Sequence, residues 1–220
     1  IRCCARLLFQ SASEAGLHAF GRARRQAVPI MWRMARIGKK AVSVVFLGCA
    51  KNQVDSERLV AAVSEAGCIP TGNVESADAV VVTTCAFVDG AVTESADLIE
   101  SLLEMKGRGG PAVIVAGCMV NRYGAGELKR RFPGVDAFVG LGDYSRLAGV
   151  VKKVLGRGKA DEIREAGTLE AAFERKPRLL STSGYAYLKI SEGCSNRCNY
   201  CTIPSIRGPL RHRPARELAK

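Results

Sequence analysis

The sequence predicts an α/β fold, a doubly wound parallel sheet with helices on both faces. Three observations predict it. Short apolar runs without polar alternation recur at AVSVVFL (41–47), AVVVT (79–83) and AVIVA (112–116), the pattern of strands buried on both faces. Segments with a helical period lie between them. Each run passes directly into a loop carrying a cysteine, after Gly48, Thr84 or Gly117.

Taken in order, the first run leads through Gly48-Cys49 into a helix that Asp55 can cap, with Leu59, Val60 and Val63 on one face and a stop at Gly67. After the second run the loop carries Cys85. Asp89 can then cap a helix striped by Val92, Leu98, Ile99, Leu102 and Leu103, ending at GRGGP (107–111). The third run ends at Gly117-Cys118, DAFVG (136–140) reads as a short fourth strand, and 143–155 reads as a closing helix. Residues 156–184 mix charge, Gly, Ser and Pro with little period, as a linker does. An alternating strand at YAYLKI (185–190) opens a second domain.

The first 34 residues stand apart: they hold six Arg against Glu14 and sustain neither a helical nor a strand period. A transit peptide, a basic arm and translation upstream of the true start at Met31 or Met34 compete, and the last is the expectation. Cys3 and Cys4 are then incidental residues of a disordered leader.

Composition narrows the class. At 220 residues and 47% apolar, the chain can bury one ordinary core and begin a second. No apolar run approaches the roughly 20 residues of a membrane-spanning helix. The net charge of +12 sits at the ends, +5 over 1–34 and +8 over 175–220, while 35–174 sums to −1. The basic C-terminal stretch suits RNA, a ribosome or an anionic substrate, and equally a solvated face. Nine cysteines are too sparse and too odd in number for a disulfide scaffold, so metal binding in a reducing, cytoplasmic setting is expected.

Cys49, Cys85 and Cys118 each lie just past the C-terminal end of a strand, where open parallel sheets bind ligands, so they should converge on one edge. The plainer alternative is three small buried hydrophobes. Cys68, past a helix stop, keeps that plainer reading. Further on, SEGCSNRCNYCTIPSIRG spaces Cys194, Cys198 and Cys201 as C-x3-C-x2-C, which lets one loop wrap three corners of a cubic iron-sulfur cluster and leave one iron open. Zinc needs a fourth ligand, for which His212 is the nearby candidate.

This loop, with Tyr200 before its last cysteine, resembles that of the radical S-adenosylmethionine enzymes. FLGCAKNQVDSE (46–57), TTCAFV (83–88) and AGCMVNRY (116–123) narrow the resemblance to methylthiotransferases. GCAKNQVDSE, Phe87 and IPSIRG resemble the ribosomal-protein branch more than the transfer-RNA branch.

The resemblance implies an N-terminal domain over 41–155 with an auxiliary cluster on Cys49, Cys85 and Cys118, then the start of a radical-SAM α/β barrel over 185–220. It also implies a second 4Fe-4S cluster on Cys194, Cys198 and Cys201, binding S-adenosylmethionine, with the Tyr200 backbone near the adenine. Reductive cleavage would yield a hydrogen-abstracting radical, and a methylthio group would be attached to an aspartate of a small-subunit ribosomal protein. A flavodoxin-like or ferredoxin-like electron donor is implied as partner. No catalytic side chain is singled out. Transfer-RNA methylthiolation and a non-catalytic iron-sulfur protein are the alternatives. Thr83 and His212 depart from the pattern, which has Asn and Ser there. Only 19 residues follow Cys201, so the barrel and target-binding domain are expected to be cut short and the chain as given inactive.

Overall fold

The structure, a computed structural model, describes residues 6–7, 39–156, 178–181 and 184–218. The sheet is built from β2 (Ala41–Phe46), β3 (Ile69–Thr71), β4 (Ala79–Thr84), β5 (Ala112–Gly117) and β6 (Ala137–Val139), all parallel, with β1 (Arg6–Leu7) added antiparallel. The order runs β3–β2–β4–β5–β6, with β1 and β3 sharing one edge of β2: Phe46 and Val45 face β1, and Ala41 to Ser43 face β3. Val80, Val81 and Val82 are fully buried, as strands covered on both faces must be.

The chain leaves β2 toward β3 and later moves the other way, through β4, β5 and β6. Right-handed crossovers therefore put α1 (Ala50–Glu65) on one face and α2 (Asp89–Gly107), α3 (Cys118–Tyr123) and α4 (Ala125–Arg131) on the other. A 3-10 turn (Leu141–Arg146) and α5 (Leu147–Leu155) return to pack on α1. The doubly wound expectation holds.

An aspartate fastens two strand junctions in the same way. Asp78, before β4, accepts the Ala41 N–H at 2.8 Å, and Asp136, before β6, accepts that of Val113 at 2.8 Å.

Several details differ from expectation. Asp55 does not cap α1. The helix starts at Ala50, with extended Cys49 at the N-cap, because Gly48 at φ +100° turns the strand straight into it, and Asp55 lies buried within it. Asp89 is likewise the first residue of α2, after Val88 as the cap. β3, only Ile69–Thr71 and containing Pro70, and the short pair α3 and α4 carried no clear period.

Residues 185–190 form no strand among the described residues. Tyr185, Tyr187, Leu188 and Ile190 are exposed, and pairing begins only where β7 (Ser191–Glu192) meets β8 (Arg211–His212) antiparallel. Between them lies α6 (Ile203–Arg207), and α7 (Ala215–Leu218) follows. Cys3, Cys4 and residues 157–177 of the linker fall outside the described residues. No helix among the described residues is long and apolar enough to cross a membrane.

Candidate metal centre

The strand order reverses between β2 and β4, and at such a switch point the loops beyond the strands' C-terminal ends part to leave a crevice. Cys49 follows β2, Cys85 follows β4, and Cys118 opens α3 after the neighbouring β5. Asn52, in the first turn of α1, ties the crevice together by donating to the carbonyls of Leu47 at 2.7 Å and Thr84 at 3.0 Å. Ser95 of α2 holds Cys85 at both backbone ends, accepting its N–H at 3.2 Å and donating to its carbonyl at 3.0 Å. Thr84 Oγ1 donates to Ala116 O and accepts from Met119 N, fixing the start of α3.

Cys85 and Cys118 are buried and Cys49 is exposed. Burial pushes the Cys118 thiol up to about 11; the charge and hydrogen bond of Arg207 pull against this, while Cys85 and Asp55 add to it. Tyr144, buried beneath Gly117, is raised well above its ordinary value by burial first, then by Asp55 and Cys118.

The second cysteine set lies on the loop between β7 and α6. Cys194 and Cys201 are half-buried and Cys198 is exposed. Cys194 N donates to Gly208 O at 3.0 Å, and Cys201 N closes a turn onto Cys198 O at 3.1 Å. Gly193, at φ +76°, lies so close to the returning chain that a Cβ there would stand 2.2 Å from Pro209 O. Tyr200 is 88% exposed.

α6 packs against α3, which brings the segment after the second set onto the third cysteine of the first. Arg207, ending α6, is buried. It donates to Asp55 at 3.2 Å, to Glu192 at 3.0 Å, to Asn52 Oδ1 at 2.7 Å and to Cys118 Sγ at 3.2 Å. Lys189 pairs with Asp55 at 2.9 Å and with Glu192, and Lys51 reaches Glu192 at 3.5 Å from a half-exposed position. Burial works against the Glu192 charge, yet Lys189 and Arg207 hold its carboxyl down at about 2. Burial also opposes the Arg207 charge, and Cys118, Asp55 and Glu192 outweigh it to hold Arg207 above its ordinary value.

As the side chains stand, no three or more His, Cys, Asp or Glu among the described residues are gathered to hold a metal ion. The donor chemistry nonetheless fits a cluster at each set. No disulfide joins the described cysteines, two of the first three share the buried crevice, and a cationic N–H donor is aimed at one of their sulfurs. His212 is exposed on β8, and Cys68 is half-buried against the core, its thiol raised by burial first. Arg207, Asn52 and Glu192 were given no role from sequence, and Asp55 only that of a helix cap. The available signal was their place in the quoted segments: Asn52 and Asp55 in GCAKNQVDSE, Glu192 in SEGC and Arg207 in IPSIRG.

Comparison with known proteins decides the family. The profile of a family described as "Uncharacterized protein family UPF0004" matches residues 41–140. A ribosomal protein uS12 methylthiotransferase RimO from Acetivibrio thermocellus is 40% identical over 186 residues, covering 82% of this chain and 41% of the relative. Its counterpart from Trichlorobacter lovleyi is 42% identical over 190 residues, 84% of this chain and 41% of that protein. The counterpart from Symbiobacterium thermophilum is 44% identical over 185 residues, 82% and 37% respectively.

The chain belongs to the RimO-type methylthiotransferase family. It spans about two fifths of the length of the curated relatives it matches. Within the RimO-type family, the matched profile covers β2 through β6, the whole of the parallel sheet apart from β1.

Proposed function

We propose that this chain is the cluster-bearing portion of a methylthiotransferase that modifies an aspartate of ribosomal protein uS12, with Cys49, Cys85 and Cys118 holding one 4Fe-4S cluster and Cys194, Cys198 and Cys201 another. The packing of α3 on α6 carries this reading. It sets the end of the second cysteine segment against Cys118, as sulfur transfer between two neighbouring centres needs. When bound, the clusters and S-adenosylmethionine supply reductive cleavage to a hydrogen-abstracting radical and the sulfur to be transferred.

The chain's own residues hold and orient. Gly193 and the Cys198–Cys201 turn shape the loop that would present three thiolates and leave one iron position open, with the backbone of Tyr200 beside the adenine. Asn52 and Ser95 hold the crevice of the first set, and the buried Arg207 closes it toward the second. The electron donor is a flavodoxin-like or ferredoxin-like protein.

The relatives' names and the near-neutral 35–174 region favour a protein substrate over transfer RNA, since an RNA grip neutralises several phosphates. Disrupting the gene and weighing both products tests this. The expected result is loss of a methylthio increment from uS12 with transfer RNA unchanged; loss from transfer RNA alone overturns it.

A further inference from the structure

Arg207 is only 5% exposed, and its two terminal nitrogens do different things. Nη1 donates to Asp55 and Glu192, and with Lys189 these form a buried set whose two positive and two negative charges balance. Ion pairing is satisfied there. Nη2 faces the other way, to Asn52 Oδ1 at 2.7 Å and Cys118 Sγ at 3.2 Å. Because the guanidinium is a rigid plane, fixing one edge on carboxylates fixes the direction of the other. Asn52 is itself held, its amide nitrogen committed to Leu47 O and Thr84 O, so its Oδ1 orients Nη2 and leaves a donor pointing at the sulfur. A Lys would offer a point charge and no such second edge.

We infer that Arg207 is a positioning residue for the cluster at the sheet edge: its Nη2 donates to Cys118 Sγ, fixes that sulfur's direction and raises the reduction potential of the cluster it ligates. This rests on the reading that Cys49, Cys85 and Cys118 hold a cluster. The physical basis is that hydrogen bonds and positive charge at a ligating sulfur withdraw electron density and favour the reduced cluster. The contact spans 89 residues, from the last residue of α6 to the first of α3, so the segment beyond the second cysteine set would tune the first.

The test uses the whole chain with Cys194→Ala, Cys198→Ala and Cys201→Ala, so that any cluster iron belongs to the sheet edge. After anaerobic reconstitution, iron content, the electron paramagnetic resonance spectrum of the reduced protein and the midpoint potential are measured. Arg207→Gln is made alone and together with Asp55→Asn; the double variant keeps the buried charges balanced, so it folds where the single one fails.

Asp55→Asn alone, which removes a nearby negative charge, is expected to raise the potential. The double variant is expected to fall below it by at least tenfold in the reduction equilibrium, about 59 mV for a one-electron couple, with a changed spectrum and unchanged iron. Loss of iron in the double variant but not in Asp55→Asn overturns the tuning of the potential and leaves Arg207 a structural support of the site. Matching potentials and spectra in those two variants overturn it, as does equal loss of iron from both, which reduces Arg207 to docking. If the triple-cysteine parent takes up no iron, the cluster reading itself falls and this inference with it, a result distinct from failure in the Arg207 variants alone.

Discussion

Gly48 faces Cys85 so closely that a Cβ on Gly48 would stand 2.8 Å from the cysteine's Cβ and 3.0 Å from its sulfur. The glycine also sits at φ +100°, where a side chain is strained in any case. Gly48→Ala is therefore expected to cost at least about 2 kcal/mol, from backbone strain and displacement of the Cys85 loop together. Chemical denaturation of the metal-free chain checks the stability; iron content after reconstitution is expected to fall as well.

The two cysteine sets should load independently. Anaerobically reconstituted chain is expected to bind about eight irons, and the Cys194→Ala, Cys198→Ala, Cys201→Ala variant about four. A variant that keeps all its iron, or a chain that takes up zinc, contradicts two separate clusters.

Asp136 accepts three hydrogen bonds from two partners: the Val113 N–H at 2.8 Å, and Lys106 Nζ at 2.7 Å to each carboxylate oxygen. Asp136→Ala leaves a strand N–H without its acceptor and takes the counter-charge from a partly buried ammonium that keeps only the Gly134 carbonyl. A loss of about 1–3 kcal/mol is expected in urea unfolding, with iron loading of the folded protein unchanged, since the site lies at the opposite ends of the strands.

Glu57, buried in α1, accepts from Ser181 N at 3.1 Å and Ser181 Oγ at 2.8 Å, and Arg178 stands 3.6 Å away. Gln53 also donates to Ser181 Oγ at 2.8 Å. Glu57→Ala is expected to free residues 178–181 from the helix and speed proteolysis after Arg178, read by mass spectrometry of the fragments. Cleavage at the unmutated rate would mean that the backbone bond from Leu179 N to Glu57 O is enough to hold the segment.

Much of the sheet was legible because its strands obey a simple rule: Val80, Val81 and Val82 are buried on both faces, and an apolar run with no polar partner says so. The place of the loop cysteines past the strand ends was legible for a related reason, since topology alone puts residues after parallel strands at one edge; how their side chains stand there was not. Gly-Cys pairs are not a sufficient sign: Gly67-Cys68 looks like Gly48-Cys49 and Gly117-Cys118, yet it ends a helix and packs on the core. Asp55 was misread as a cap because acidic residues near a helix start usually are. Its acceptors are used instead by Arg207 and Lys189, which lie 152 and 134 residues away, and no local pattern announces partners so distant. The YAYLKI alternation fits a strand, but strands need a neighbour along their length, and the sheet pairing of β7 with β8 starts only at Ser191, just after Ile190 O accepts from Arg213 N at 2.9 Å.

The span of the Arg207–Asp55 contact bears on the order of events in folding. Sheet pairs such as β4 with β5 join residues 33 apart, as with Val80 and Val113, whereas Arg207 must find a carboxylate 152 residues upstream. Closing the longer loop costs more chain entropy, and burying its four charges repays that only once every partner is in place. The latch is thus expected to form after the parallel sheet and to open before it. Amide hydrogens of α6 should exchange by local opening well before those of β4 and β5, which exchange only when the whole sheet unfolds.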